Sequence, residues 1–340
     1  MDYLAIKIDK NGIEVILREQ NPKRIVFNAP DGLLRATRAI AQELEVSYGL
    51  QAIVIADPTY GSCDTVDTDA QKLGAEVAFH VGHNVTVKKF GKLTYSIDAV
   101  DDVSFNLVAH KACDFLKSKG FHSAGLVTFA QHMTELNRVS EILGESGISA
   151  LIGKGMGQLH DGQIFGCEFY PAFNIKDKVE VMLLLGQSMF HAIGLCLSTG
   201  KPTFILDPYQ NEIVDVSSVA QERLKRAVLS VYSARDANTF GVIIGLKEGQ
   251  IMADQSVRLK KELESFGKKV QLIALREITP DRINSMTDLE AFVQTGCPRI
   301  SVDGYNFRKP VLSVPQTDAL LRLLAGKEIN MEMFERKHWL

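Results

Sequence analysis

Five cysteines, Cys63, Cys113, Cys167, Cys196 and Cys297, are spread through 340 residues at long, irregular spacing, with no C-x2-C pair anywhere. In a reducing compartment an odd set of this kind points to free thiols, metal binding or catalysis rather than to disulfides. Cys63 stands in "DPTYGSCDTVDTDAQKLG", just past an apolar strand-like run; Cys167 stands in "FGCEFYP" and Cys297 in "TGCPRISVD". Three converging thiolates suit Zn(II) or an iron–sulfur cluster, both thiophilic. Structural zinc usually takes its ligands in close pairs, and the nearest two of these cysteines, 63 and 167, are 104 residues apart, which disfavours zinc. A cubane cluster held by three cysteines leaves one iron without a protein ligand and open to substrate.

The elements that must position these thiols form one pattern three times. The first run reads strand "RIVFNAP", helix "GLLRATRAIAQELEVSYG", strand "QAIVIADPTYG", helix "TVDTDAQKLG" and strand "AEVAFHVGHN". The second has strands "SAGLVTFA", "ISALIGKG", "VEVMLLLGQ" and "KPTFILDP" with helices "TELNRVSEILGESG" and "SMFHAIGLCLSTG". The third has strands "TFGVIIGLKEG", "KVQLIAL", "AFVQTGCPRI" and "KPVLSVP" with helices "MADQSVRLKKELESFG" and "TPDRINSMTDLE". Short, uniformly apolar strands alternating with amphipathic helices that end in Gly predict βαβ units on parallel sheets. The expected fold class is α/β: three similar Rossmann-like domains with parallel sheets, over residues 1–110, 111–220 and 221–340, arranged around a central cluster site.

On this repeat Cys63 and Cys167 both fall in the loop leaving the second strand, and Cys297 falls at the end of the third, where the other repeats have His83 and Gln187. All three sit at carboxyl ends of parallel strands, where open α/β sheets bind ligands. Cys113, in "HKACDFLKSKG", and Cys196, in "FHAIGLCLSTG", fall inside amphipathic helices at apolar-face spacing and read as core residues.

Composition frames the rest. Hydrophobic residues make up 46% of the chain and the formal charge is -3, so nothing suggests a broad basic face for nucleic acid. The start, "MDYLAIKIDKNGIEV", has no basic segment followed by a long apolar one, and the apolar runs are too short to span a bilayer, so the expected location is the cytoplasm, with no membrane partner. No G-x-S-x-G follows a strand, "GKGMG" lacks the dinucleotide spacing, and "RLKKELESFGKK" reads as a solvated helix face.

"YGSCD" at 60–64, "VGHN" at 81–84, "SMFHAIGLCLSTGKPTFILDPY" at 188–209 and "TGCPRISVD" at 295–303 resemble the archaeal diphthamide biosynthesis enzymes, the 2-(3-amino-3-carboxypropyl)histidine synthases. The resemblance runs over essentially the whole chain; the residue after Cys167 departs from the small or hydroxyl residue expected there. It implies a homodimer in which Cys63, Cys167 and Cys297 of each chain ligate a 4Fe-4S cluster. It implies a non-canonical radical use of S-adenosylmethionine, in which the reduced cluster cleaves the bond from sulfonium to methionine γ-carbon and leaves methylthioadenosine. The 3-amino-3-carboxypropyl radical then adds to the imidazole carbon of a histidine in translation elongation factor 2, with electrons supplied by a donor protein.

Selectivity among the three C–S bonds would be positional. The strand-end loops offer Gly82, His83, Gly186, Gln187, Ser188, Arg299 and Asp303 for S-adenosylmethionine. Each also has an ordinary reading. Arg299 could neutralise an interface carboxylate, His83 and His191 could pack at helix ends, Asp64 suits the N-cap of a helix beginning near Thr65, and Tyr60 could stack on adenine or close the crevice. Two other functions fit three such cysteines: a quinolinate-synthase-like Lewis-acid cluster enzyme, and a non-enzymatic metal- or ligand-binding scaffold.

Overall fold

The computed structural model describes residues 6–303 and 307–339. In chain order the first part holds β1 (Ile6–Ile8), α1 (Lys10–Gln20), β2 (Arg24–Asn28), α2 (Asp31–Tyr48), β3 (Gln51–Ile55), α3 (Asp67–Lys72), β4 (Val77–Val81), β5 (Thr94–Ile97) and β6 (Ala99–Asp101). The middle part holds α4 (Asn106–Ser118), β7 (Ser123–Thr128), α5 (Leu136–Glu145), β8 (Ser149–Ile152), α6 (Tyr170–Phe173), β9 (Val181–Leu185), α7 (Met189–Thr199), β10 (Thr203–Asp207) and β11 (Glu212–Asp215). The last part holds α8 (Ser217–Arg235), β12 (Thr239–Gly245), α9 (Ala253–Ser265), β13 (Lys269–Leu275), α10 (Pro280–Ser285), β14 (Ala291–Gln294), α11 (Arg299–Val302), β15 (Val311–Leu312) and α12 (Val314–Leu324).

Three main sheets result, with strand orders β3-β2-β4-β5, β8-β7-β9-β10-β11 and β13-β12-β14-β15. Every pairing in them is parallel except β10 with the edge strand β11. The central strands are covered on both faces, which is why β4 and β9 are buried along their whole length and read as continuous apolar runs. Glycines in the left-handed region end the flanking helices where predicted, for instance Gly49 after α2 and Gly200 after α7. In each sheet the chain leaves the first strand toward one side and places the third on the other. The carboxyl ends of β2 and β4, of β7 and β9, and of β12 and β14 therefore flank a crevice at a switch in winding direction.

The connections depart from the expected limits. α4 packs on α5, β10 and β11, so residue 110 falls inside a helix of the second sheet's core. α8 buries Ala220 in a core with Leu184 and Ile205 and buries Val228 and Val231 in another with Phe240 and Leu320; residue 220 thus lies in a helix shared by two cores. The antiparallel pair β1–β6, together with α1, β5 and α12, was not among the expected elements. Among the described residues no helix is long and apolar enough to cross a membrane.

Candidate active site

The turn after β3 carries Cys63 and closes on itself. The Asp64 carboxylate accepts from the backbone N–H groups of Tyr60 (2.6 Å) and Gly61 (3.1 Å), and Asn28 Nδ2 donates to the Asp64 carbonyl at 2.7 Å. This corrects the expected role of Asp64: its carboxylate is occupied by amides on its own N-terminal side, and α3 begins only at Asp67. Glu248, from the loop after β12, caps that helix instead, accepting from Thr65 Oγ1 at 2.9 Å, Asp67 N at 3.0 Å and Thr68 N at 2.5 Å.

Glu248 belongs to four consecutive residues that all hold this turn. Lys247 Nζ reaches Asp64 Oδ1 at 3.0 Å and the Pro58 carbonyl at 3.1 Å, and lies 4.6 Å from the centre of the Tyr60 ring. Gly249 N donates to the Cys63 carbonyl at 2.9 Å, and Gln250 Nε2 donates to Cys63 Sγ at 3.4 Å.

A second strap holds Cys167. Trp339 N donates to the Cys167 carbonyl at 3.1 Å, Phe169 N donates to the Lys337 carbonyl at 2.7 Å, and Glu168 and His338 form an antiparallel bridge closed by their side chains at 2.6 Å. Cys297 leaves β14 in a turn fixed by Gln294 Nε2, which donates to the Cys297 carbonyl at 2.9 Å and to Ser301 Oγ at 3.0 Å. Arg299 ties this turn to the Cys167 loop. Its guanidinium donates to both Asp303 oxygens at 2.9 and 2.7 Å and to the Gly166 carbonyl at 3.1 Å, and lies 3.9 Å from the centre of the Phe190 ring.

The three loops bring their thiols within electrostatic reach of one another. Burial pushes the Cys63 thiol up to about 12, with smaller contributions from Asp64 and Cys297. Burial also raises Cys167, and the next causes there are Cys297 and Cys63. Cys297 is raised as well, again chiefly by burial. Buried thiols in this state stay neutral until a metal replaces their protons. Among the described residues no group of three His, Cys, Asp or Glu side chains is placed to hold a metal ion. A cubane asks for something different, since each thiolate binds its own iron and the sulfurs need not converge on one point. Three half-buried thiols on three braced loops, two of them tied together by Arg299, fit that demand. Cys113 and Cys196 stand apart, as expected: Cys113 is buried in α4 and donates to the Ala109 carbonyl at 3.3 Å, and Cys196 packs against the core under α7.

Beside the cysteine loops lies a cavity of about 810 Å3. Its walls are the carboxyl ends of β2 (Pro30, Asp31), β4 (Gly82, His83), β7 (Phe129, His132) and β9 (Gln187, Ser188), joined by Tyr60, Phe165 and Tyr209. Gln131 Nε2 donates to the Gly82 carbonyl, Gln163 Nε2 to the Asn84 carbonyl at 2.5 Å and Tyr209 Oη to Asp101 of the β1–β6 pair, so the segments of the first and middle parts that form the walls are hydrogen-bonded to each other.

Of the seven residues assigned to S-adenosylmethionine, Gly82, His83, Gln187 and Ser188 line this cavity. Gly186 lies just behind, at φ 136°, where a Cβ would come within 2.5 Å of the Phe129 ring; it permits the close approach of the β7 and β9 loops. Arg299 and Asp303 are placed differently: they pair with each other, and Arg299, 1% exposed, braces two cysteine loops outside the cavity lining. Ser188 caps α7, accepting from His191 N at 3.3 Å, and lies 2.7 Å from His191 Nδ1, while the His191 ring stacks on Phe129 at 5.0 Å.

Burial holds the imidazoles around the cavity neutral. His83 and His132 are pushed down to about 4, His191 to about 3, and His80, 2.8 Å from His83, well below its ordinary value. A histidine depressed in the fold takes up its proton on unfolding first, so the stability it contributes is complete above pH ~6.5 and is lost as pH falls toward 4. Urea unfolding at pH 7.5 and pH 5 should therefore show a loss on the order of 1 kcal/mol per histidine, a window in which carboxylates stay ionised. His132→Gln should shrink that loss; an unchanged urea midpoint between the two pH values would count against buried neutral imidazoles.

Sequence reading missed Lys247, Glu248, Gly249 and Gln250, and the tail 336–339. The cavity residues Gln131 and His132 were missed too, although their position after the first strand of the second repeat could have marked them.

This α/β chain, with three cysteine loops at strand ends and a cavity between the first two sheets, is matched by the family model described as diphthamide synthesis protein over residues 29–331, and the chain belongs to that family. It is similar to the 2-(3-amino-3-carboxypropyl)histidine synthase of Pyrococcus horikoshii, with 29% identity over 95% of this chain and 93% of that one. Subunit 1 of the Saccharomyces cerevisiae synthase is 26% identical over 94% of this chain and 77% of its own. Among solved structures, Dph2 from Pyrococcus horikoshii with a 4Fe-4S cluster superimposes with a TM-score of 0.84 at 28% identity, covering 98% of this chain and 94% of that one.

Proposed function

We propose that this chain transfers the 3-amino-3-carboxypropyl group of S-adenosylmethionine to the imidazole carbon of a histidine in translation elongation factor 2, the first step of diphthamide formation. The observation that carries this reading is a set of three half-buried thiols within electrostatic reach of one another, one from each parallel sheet, with a cavity at the switch points of two of those sheets. The names of the relatives and the cluster of the structural neighbour support it.

Cys63, Cys167 and Cys297 would hold the 4Fe-4S cluster. When bound, it supplies one-electron reduction at an iron that no protein residue ligates. The remaining work of the chain is positional. The cavity volume falls in the range of about 300–1,000 Å3 typical of small-ligand sites. The amino end of α7, with Ser188 and His191, faces it and can receive the carboxylate of the methionine moiety, which a helix N-terminus favours. Asp31 can accept from an ammonium or ribose hydroxyl, and Tyr60, 62% exposed at the rim, can cover an adenine. Neutral His83 and His191 leave the pocket without extra positive charge that would repel a sulfonium. Holding the sulfonium in one orientation selects the γ-carbon bond over the other two and leaves methylthioadenosine.

In this reading three similar Rossmann-like α/β domains, near 1–110, 111–220 and 221–340, each supply one ligand of a cytoplasmic homodimer that draws electrons from a donor protein. The test is anaerobic incubation of iron-quantified protein with dithionite and S-adenosylmethionine, with the nucleoside product separated by chromatography. Methylthioadenosine that depends on reductant, without 5'-deoxyadenosine, is the expected result, followed by labelling of elongation factor 2. No nucleoside product from a chain carrying about four irons would overturn the transfer reaction in favour of a Lewis-acid cluster enzyme.

A further inference from the structure

The carboxamide of Gln250 is 6% exposed and reaches Cys63 Sγ from a loop 187 residues away. It sits between two cysteine turns: on one side Cys63, on the other Gly296, whose Cα position is so close that a Cβ there would lie 3.2 Å from Gln250 Oε1. A short helical turn, closed by Gln250 N donating to the Lys247 carbonyl at 2.8 Å, fixes the backbone from which the amide projects.

Such an arrangement is hard to explain as packing. Burying an amide is costly unless its donors are used, and a neutral thiol is a weak acceptor. A metal-bound thiolate is a charged acceptor, and hydrogen bonds to charged groups are shorter and roughly twice as strong. Methionine or leucine would fill the same space without the desolvation cost. The amide is therefore placed for the liganded state of Cys63 rather than for the free thiol.

We infer that Gln250 is a positioning residue for the metal centre, whose N–H donor to Cys63 Sγ stabilises the reduced form of the bound cluster and raises its midpoint potential. The inference rests on the cluster reading given above. Its physical basis is that a donor to a ligand sulfur draws off negative charge, and the reduced cluster, carrying one electron more, gains most from this. Among the described contacts neither Cys167 nor Cys297 is given a side-chain donor to its sulfur, the Cys297 thiol being met by the backbone N–H of Arg299 instead.

The experiment is an anaerobic redox titration of reconstituted full-length protein, followed by the electron paramagnetic resonance signal of the reduced cluster, in the unmodified chain and in Gln250→Met and Gln250→Leu. Because the signal comes only from loaded molecules, partial loss of iron in a variant does not obscure the reading. Both variants should shift the midpoint downward, with changed g-values at matched iron and sulfide content. A merely structural role would lower iron content and leave the midpoint of the loaded fraction where it was; an unshifted midpoint in both variants overturns the inference. Absence of iron and sulfide from the unmodified chain would instead overturn the cluster reading on which it rests.

Discussion

Alanine at Cys63, Cys167 or Cys297, one at a time, should abolish stoichiometric iron and bring reductant-dependent methylthioadenosine to background. The loss should exceed the roughly 10–100-fold typical of removing an outer-shell partner, since here a ligand itself is removed. Cys63 is braced by 247–250, Cys167 by 337–339 and Cys297 by Gln294, and the Arg299 contacts that tie the last two loops together involve no cysteine side chain, so the other two loops should stay in place in each variant. The fold should survive, because none of the three side chains belongs to a hydrophobic core. Cys113→Ala and Cys196→Ala give the contrast: they trim core packing at about 1 kcal/mol and should keep iron and activity. Colorimetric iron and sulfide analysis with circular dichroism decides the matter, and full iron retention in all three ligand variants would remove the metal centre from consideration.

Gly249→Ala should be nearly as damaging to the metal centre with a single added methyl. A Cβ at 249 would lie 2.6 Å from Cys63 Cα and 2.7 Å from its carbonyl oxygen, both backbone atoms that cannot rotate away. The hydrogen bond from Gly249 N to that carbonyl holds the two segments at this spacing, so one of them must move. Overpacking of this kind costs about 1–3 kcal/mol, and the displaced element is the Cys63 turn. The expected outcome is a chain with a modestly lowered melting temperature but sharply reduced iron per chain after reconstitution. Gly144→Ala is the matching control: it lies in α5, with no heavy atom within 4 Å of the added group, and should be neutral or stabilising by up to about 1 kcal/mol. Equal iron content in Gly249→Ala and the unmodified protein would mean that the 247–250 loop does not set the Cys63 position.

The part of this architecture that was legible in the sequence is the part that is local. Runs such as "VMLLL" and "AFVQ" announce strands buried on both faces because their burial is a property of the run itself. The terminal glycines mark helix ends for the same reason, and the placement of three cysteines at strand ends follows once the strands are found. What could not be read is contact between distant segments. Asp64 looks like an N-cap because local spacing favours it, yet Glu248 takes the helix and Lys247 takes the Asp64 carboxylate. Arg299, at the start of a short helix, and Asp303, just past its end, pair with each other, a pair that sequence alone could equally assign to a ligand. The tail that binds Cys167 through Trp339 carries no motif at all.

The two straps have a consequence for how the protein is made. A ribosome adds on the order of 5–20 residues per second, and domains generally fold as they emerge. Cys63 appears early, but its turn has no Glu248 or Gln250 until almost two hundred further residues have been added, and Cys167 waits for Trp339. Two of the three thiols are thus exposed on incomplete loops throughout most of elongation, open to oxidation or to stray metal. In the cluster reading, loading of the metal centre would have to await the synthesis of Trp339, because only then are both straps in place around Cys63 and Cys167.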